Sequence, residues 1–344
     1  MRLSGTQMKR FTLDKLPSRV LKDLDVEDAF MASRAVIAAE RFGVFRLLHN
    51  APLPPARAAA RLGLSAGAAE RLFVALRALG LLRKRGSRWS NTRLAATYFI
   101  EGRSEYWTRQ FSREGVETFQ EFATLEESLR SERGRSALKR PKKSNYVQLM
   151  EKDPARARDF TVMLYYHHQE DAARLAGVLK LGSRRALLDV GGGSGVMSIA
   201  LAKKNPNLRC RVMDIEPVCK VARQIIKTEG LTTRISAMGG DMNQPLPKGF
   251  DVILFSDLGP MTPELLDAAY HALPPGGLLV IADNLLSDDR RRPLEIPLYR
   301  LISPRSGWET RVEIVAALRE HGFRRVSHRT VHECLAVITA VKPQ

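Results

Sequence analysis

The sequence predicts an α/β protein in which a mainly α winged-helix domain precedes a Rossmann-like sheet that ends in an antiparallel hairpin. Amphipathic helical segments followed by a hairpin pattern predict the first domain, between residues 28 and 91. From Arg185 onward, strand-like apolar runs alternate with helical stretches, which is typical of a parallel sheet with helices on both faces. The last two runs, RRVSHRTV and CLAVITAV, lie close enough in the chain to pair as the hairpin.

Four local patterns define the winged helix. Apolar residues at helical spacing predict one helix from Asp28 to Leu48, and the prolines that follow end it. A short helix is expected over Ala56 to Leu62, and Ser65 is the predicted N-cap of a third helix that ends at Gly80. Residues 81–85 and 88–91 then predict a two-stranded hairpin around Gly86-Ser87.

The length of 344 residues suggests two domains, because a single core rarely grows beyond about 250 residues. We expect a winged-helix domain over 1–105, helices that link the domains over 106–180, and the sheet domain over 181–344. Within the linking part, residues 130–144 are basic and have no apolar face, so they predict an exposed loop. The helix after this loop presents one face made of Phe160, Met163, Leu164, His167 and Asp171.

Composition is that of an ordinary globular protein, with 44% hydrophobic and 27% charged residues. No apolar run approaches the ~20 residues that span a bilayer, and the first residues do not have the pattern of a secretory signal. The three cysteines, Cys210, Cys219 and Cys334, lack CxxC spacing, which argues against a disulfide framework or a structural zinc site. These observations predict a cytoplasmic protein without a membrane span.

The net charge of +18 is unevenly distributed. Residues 1–150 contain 28 Lys and Arg against 15 Asp and Glu, a balance of +13, whereas the remainder has a balance of +5. Such a field could attract nucleic acid, steer an anionic substrate, or act only as a solubilising surface.

The strongest motif is a glycine-rich turn, Asp189 to Gly195, between a predicted strand and a helix. Glycines at such a turn let the backbone approach a ligand that a Cβ would obstruct. The dinucleotide pattern GxGxxG is the obvious competitor, but Val196 or Ser198 stands where its last glycine should be. This mismatch weakens the interpretation of the turn as a nicotinamide-dinucleotide site.

Two acids after the next strands are also placed to contact a ligand. Asp214 ends the second strand, 23 residues after Gly191, where a carboxylate would accept both hydroxyls of a ribose. Asp241 follows the third strand in the turn Gly239-Gly240-Asp241-Met242 and could meet an adenine amine, with Met242 packed on the ring.

The motifs DVGGGSG, MDIEP, GGDM and ALPPGG resemble the class I methyltransferase core of the caffeic acid and hydroxyindole O-methyltransferase family. The segments GVFRLL, ARLGLS and RLFVALRALGLL are similar to the winged-helix dimerisation domain of the same family, so the resemblance extends from Asp28 to the C-terminus. It implies methyl transfer (EC 2.1.1 type) from S-adenosylmethionine to a small organic acceptor in specialised metabolism, most commonly O-methylation. It also implies a homodimer in which each winged-helix domain contributes to the partner's substrate chamber.

The resemblance assigns residues to the cofactor and to the acceptor. The cofactor set that it implies is Asp189, Gly191, Gly193, Gly195, Asp214, Gly240, Asp241, Met242 and Ser256. The implied substrate-chamber residues are Met163, Tyr166, His167 and Trp308. We expect a small-molecule acceptor, with an anionic or an aromatic compound as the two options, and nucleic acid is not expected as a partner.

The sequence departs from the family at the catalytic base. The family has a His-Asp-Trp motif after the fourth strand, but the matching position here is Gly259 or Pro260. The Glu that supports this His lies in a Glu-Arg-Thr element, which becomes Trp308-Glu309-Thr310 in this chain. The usual base and the acid that orients it are therefore both missing.

Several alternatives remain open for the chemistry. Asp257, at the end of the fourth strand, and His167 are the candidate replacement bases. The acceptor could instead be nucleophilic already, such as a carboxylate, an amine or an activated carbon, or the chain could bind S-adenosylmethionine without transferring its methyl group. A DNA-binding regulator is a further alternative, suggested by the basic wing. The histidines lack metal-ligand spacing, so no metal is predicted.

Overall fold

The computed structural model describes residues 15–100, 115–131, 146–293, 295–302, 309–332 and 335–344. The chain divides into two compact units, one up to Gln120 and one from Glu121 to Gln344. None of the described helices is long and apolar enough to cross a membrane.

The first unit is a winged helix, as predicted. Its elements are helices α1 (Ser18–Asp23), α2 (Val26–Phe42), α3 (Val44–Asn50), α4 (Pro55–Leu62) and α5 (Ala66–Ala78), strands β1 (Leu82–Arg85) and β2 (Arg88–Asn91), and helix α6 (Arg93–Phe99). The hydroxyl of Ser65 accepts a hydrogen bond from the backbone N–H of Ala68 at 3.2 Å, which confirms its role as the N-cap of α5. Phe73 of α5 and Trp89 of β2 are fully buried and meet edge to face in the core of this unit.

The prediction of one helix from Asp28 to Leu48 is wrong, because the chain breaks it at Gly43. Gly43 has a φ of 75°, a left-handed conformation that glycine adopts without steric cost. Its N–H caps the carbonyls of Ala39 and Glu40 and so ends α2. Apolar spacing continues across the break because both helices pack on the same core, where Phe45 and Leu48 of α3 are buried.

The second unit contains the sheet and the helices that precede it. The helices are α7 (Leu125–Ser131), α8 (Tyr146–Lys152), α9 (Pro154–His167), α10 (Gln169–Val178), α11 (Val196–Lys204), α12 (Glu216–Thr228), α13 (Pro263–Ala272), α14 (Glu295–Ile302) and α15 (Arg311–Glu320). The strands are β3 (Ala186–Val190), β4 (Arg209–Asp214), β5 (Ile235–Gly239), β6 (Val252–Ser256), β7 (Leu278–Asn284), β8 (Arg324–His332) and β9 (Leu335–Val341). Most of the predicted loop at 130–144 lies outside the described residues, and residues 130 and 131 end α7.

The seven strands form one sheet in the order β5-β4-β3-β6-β7-β9-β8. Strands β3 to β7 run parallel, and β9 pairs antiparallel with both β7 and β8. This arrangement confirms the predicted Rossmann-like sheet with an antiparallel C-terminal hairpin. The central strands are buried along almost their whole length, as expected for a parallel sheet covered by helices on both faces.

Candidate active site

The carboxyl ends of four neighbouring strands bring the predicted cofactor residues into one row. Val190 at the end of β3 pairs with Met213 of β4 on one side and with Phe255 of β6 on the other. The chain order reverses between β3 and β6, and a reversal of this kind opens a crevice at the carboxyl edge of a parallel sheet. The glycine turn, Asp214, the turn at 239–242 and the pair Ser256–Asp257 all begin at this edge.

The glycine turn is packed so tightly that two of its residues must lack a side chain. Gly191 has a φ of 62°, and a Cβ there would lie 2.1 Å from Cδ1 of Leu258. A Cβ on Gly192 would lie 2.6 Å from Cγ of Asp189. The N–H of Gly191 donates to the carbonyl of Met213 at 2.8 Å, which fixes the turn to the neighbouring strand. The turn is therefore held in position before any ligand binds.

Asp189 is fully buried beneath the turn. Its Oδ2 accepts a hydrogen bond from the hydroxyl of Ser198 at 2.6 Å, while its buried Oδ1 finds no donor among the described residues. Burial is the main cause that raises the pKa of this carboxyl to about 7; the charge of Asp214 acts in the same direction, and hydrogen bonding to Ser198 acts against both. A buried acceptor without a donor suits a cationic group of a ligand, such as the ammonium of S-adenosylmethionine.

Asp214 is oriented by two backbone donors. The N–H of Gly193 lies 2.9 Å from Oδ2, and the N–H of Ile215 lies 2.7 Å from Oδ1. Burial raises the pKa of Asp214, and these two hydrogen bonds act in the opposite direction. Each oxygen retains a lone pair for a further donor, which is the requirement for holding a ribose diol.

The remaining predicted cofactor residues lie at the same edge. The N–H of Gly240 donates to the carbonyl of Asp214 at 2.9 Å. Asp241 is exposed and accepts hydrogen bonds from the backbone and side chain of Asn243, and Met242 is 38% exposed beside it. Ser256 is buried at the end of β6.

A small cavity of about 50 Å³ joins the glycine turn to the end of β6. Residues 191–194 and the start of α11 line one part of it, and Ser256 and Asp257 line another. Leu164 and His168, from the helices before the sheet, complete the lining.

His168 contacts the candidate base Asp257. Its Nε2 lies 3.2 Å from Oδ2 of Asp257, and its Nδ1 lies 3.9 Å from Oδ2 of Asp171. Burial lowers the pKa of His168, but the two carboxylates more than offset it and raise this pKa to about 9. The imidazole is therefore protonated at neutral pH.

The candidate base predicted from the sequence on this helix is the neighbouring residue His167, which is exposed at the end of α9. The helix ends there, and His168 lies at the junction before α10 begins. A prediction that assumes one continuous helix across this break places His167 on the face towards the site. In the structure, His168 lines the cavity instead.

Asp283, at the end of β7, is a second residue that the sequence analysis missed. Ser256 pairs with Ala282, so the ends of β6 and β7 bring Asp257 and Asp283 close together. Burial raises the pKa of Asp283 well above its usual value, and the charges of Asp257 and Glu309 add to this, while His168 acts in the opposite direction. The sequence shows only that Asp283 ends an apolar, strand-like run, and the sheet order determines that this run lies beside β6.

Neither of the two residues that we matched to the family's catalytic His can accept a proton through its side chain. Gly259 has a φ of 100° and offers no side chain, and the next residue is a proline. Trp308 lies outside the described residues. Within the described ranges, no three His, Cys, Asp or Glu side chains come together as metal ligands.

The other implied chamber residues belong to α9. Met163 is buried, and Tyr166 is half-buried with its ring 5.5 Å from that of Tyr165. Leu164, between them, is the α9 residue that lines the cavity.

Comparison with known proteins agrees with this architecture. Residues 122–324 match an O-methyltransferase domain, and residues 24–101 match an O-methyltransferase dimerisation domain. A 3-hydroxy-5-methyl-1-naphthoate 3-O-methyltransferase from Streptomyces sahachiroi is 29% identical over 89% of this chain and 90% of its own. An L-tyrosine C(3)-methyltransferase from Streptomyces lavendulae is 31% identical over 75% of this chain and 72% of its own.

Among solved structures, human N-acetylserotonin methyltransferase in complex with S-adenosylmethionine superposes with a TM-score of 0.79 at 24% identity. The match covers 95% of this chain and 98% of that one. These similarities do not favour the DNA-binding or the non-methylating alternative. The chain belongs to the O-methyltransferase family and is an S-adenosylmethionine-dependent methyltransferase.

Proposed function

We propose that this enzyme methylates a hydroxyl group of a small aromatic acceptor and that Asp257 accepts the proton of that hydroxyl. One observation carries the proposal: the Asp257 side chain lines the same cavity as the glycine turn. It is also 59% exposed, so an acceptor can approach it from solvent.

The chemistry needs alignment and a proton acceptor. When bound, S-adenosylmethionine supplies an electrophilic methyl group on its sulfonium sulfur. The glycine turn, Asp189 and Asp214 would hold the cofactor in place, and such positioning can contribute several kcal/mol to the rate. Asp257 would take the hydroxyl proton as the acceptor oxygen bonds to the methyl carbon and the bond from that carbon to the sulfonium sulfur breaks, with S-adenosylhomocysteine as the leaving group. Solvent would then remove the proton from the exposed carboxyl.

The relatives support an aromatic acceptor, and one of them supports an acceptor with a negative charge. A hydroxynaphthoate and tyrosine, the substrates in the two relatives' names, each combine a phenolic hydroxyl with a carboxylate. The net charge of +18 would favour such an acceptor through long-range attraction. We propose methylation at oxygen because a hydroxyl group must lose its proton on methylation, and a base beside the glycine turn can accept that proton.

We also propose that the enzyme is a homodimer assembled through its first unit. The match to a dimerisation domain supports this, as does the apolar surface that Phe30, Met31 and Val74 expose, each by about half of its area.

The test of the proposed base is Asp257→Asn, which keeps the shape of the side chain but removes its basicity. We expect turnover to fall about 10²-fold or more while the affinity for S-adenosylhomocysteine is unchanged. Hydroxylated aromatic carboxylates serve as acceptors, and product formation is followed by mass spectrometry.

Asp267→Asn is the matched control, because Asp267 is equally exposed at 60% and also faces a histidine, His321, but does not line the cavity. This control should retain full turnover. Full activity of Asp257→Asn would overturn the assignment of the base.

A further inference from the structure

We propose that His168 is a positioning residue whose imidazolium holds the carboxylate of Asp257 at the methyl-transfer site. His168, at the junction of α9 and α10, would then supply an imidazole to the site, where the segment after β6 has Gly259 and Pro260 in place of the family's histidine. The inference rests on the proposed function, because it gives Asp257 the role of proton acceptor.

Distance and burial indicate different roles for His168 and Asp257. Nε2 of His168 lies 3.2 Å from one oxygen of Asp257, and the His168 side chain is only 12% exposed. Asp257 is 59% exposed, so its carboxylate is held on one side by a buried cation and is open on the other. A carboxylate held in this way keeps a fixed orientation towards an acceptor even though solvent reaches it.

The backbone explains why Asp257 needs such support. Asp257 has a φ of 49°, a left-handed conformation that costs an L-residue about 1 kcal/mol or more. His168 is fixed more firmly, because its N–H donates to Leu164 at 3.0 Å and its carbonyl accepts from Ala172 at 2.8 Å. The rigid partner is therefore the histidine, and the partner that requires orientation is the aspartate.

The surrounding charges require a cation at this position. Asp171 on α10 faces the other ring nitrogen, and Asp283 on β7 interacts with both His168 and Asp257. Glu309, before α15, acts on Asp283, and His167 acts on Asp171. Without the imidazolium, the Asp257 carboxylate would lose the cation that lies against it, beside the buried carboxyl of Asp283.

The imidazolium also excludes His168 itself as the first proton acceptor at neutral pH. Both ring nitrogens carry protons in this state and both face carboxylates. In this proposal the acceptor proton goes to Asp257 rather than to His168, and the histidine keeps its own proton throughout the reaction. This assignment predicts opposite pH profiles for a positioning role and for a base role.

The ion pair is tested first in the protein without cofactor, by NMR titration of the His168 ring. We expect a pKa near 9 in the wild type, and a decrease of at least one unit in Asp257→Asn. A wild-type value at or below the ordinary 6.5 would overturn the proposal, whatever the activity measurements give.

The second test is kinetic. His168→Ala should lower turnover about 10- to 100-fold, and His168→Gln, which keeps an N–H donor, should recover part of the loss. The double variant His168→Ala, Asp257→Asn should be no slower than Asp257→Asn alone, because the histidine acts only through the aspartate. His321→Gln, at the other histidine–aspartate pair, is the control and should leave turnover unchanged.

The wild-type pH profile completes the test. Turnover should fall as pH rises through about 9, where His168 loses its charge. With an acceptor whose hydroxyl stays protonated throughout this range, a rate that instead rises towards pH 9 would make the histidine a base and overturn the positioning role. An impaired Asp257→Asn with a normal His168→Ala would overturn only this inference, whereas a normal Asp257→Asn would overturn the proposed function.

Discussion

At the scale of single residues, Asp189 has opposite effects on folding and on ligand binding: its buried charge lowers the stability of the ligand-free protein and favours a cationic ligand. Its buried carboxyl has a pKa near 7 in the folded protein against an ordinary value near 4, so the folded state binds its proton more tightly than the unfolded state does. The stability that depends on this proton is fully present below about pH 4 and is lost as pH rises through 7.

Asp189→Asn should therefore stabilise the ligand-free protein relative to the wild type as pH rises from 4 to 8, by on the order of 1–3 kcal/mol. The same change should weaken the binding of S-adenosylmethionine, because the buried Oδ1 loses its charge. Denaturant unfolding across this pH range and calorimetry measure the two effects. A variant with lower stability at pH 8 would contradict the account, and the exposed Asp267→Asn serves as control.

The same scale shows what the sequence could predict of the site. The glycine turn and Asp214 were predictable because each follows directly from a local strand–turn pattern. His168 and Asp283 were not, since the first depends on where a helix breaks and the second on which strands become neighbours. Both are properties of three-dimensional packing that residue spacing does not contain.

At the scale of elements, Gly43 separates two helices that the apolar pattern joins. A Cβ at Gly43 would meet no atom within 4 Å, so replacement strains only the left-handed backbone. Gly43→Ala should lower the free energy of unfolding by about 1 kcal/mol. Gly67→Ala, in the first turn of α5 with ordinary dihedral angles, should be neutral or stabilising and is the matched control. Equal effects in denaturant unfolding would contradict this explanation of the break.

The sheet was predicted more completely than the helices. The apolar runs of its central strands β3 and β6 are buried on both faces, so they stand out from the amphipathic helices between the strands. The break at Gly43 was missed because hydrophobic spacing records which face is buried and not whether the backbone is continuous.

At the scale of the whole molecule, charge and assembly give two expectations. The first is a dimer at micromolar concentration in sedimentation experiments, and Phe30→Glu should shift it towards monomer because that ring is half exposed on α2. A wild-type monomer would contradict the proposed assembly.

The second expectation concerns the net charge of +18. Raising the salt concentration should lower kcat/KM for an anionic acceptor, because added ions screen the attraction. A neutral acceptor of the same shape is the control and should show little change. If kcat/KM depended equally on salt for the anionic and the neutral acceptor, the positive charge of the protein would not contribute to acceptor capture.

The most direct test of the central claim compares wild type and Asp257→Asn on phenolic acceptors of increasing acidity, by single-turnover methyl transfer at saturating S-adenosylmethionine. If Asp257 accepts the phenolic proton, the defect of the variant should be about 10²-fold for an acceptor that is protonated at the assay pH. It should shrink towards none for an acceptor that is already ionised. The same defect across all acceptors would contradict the account.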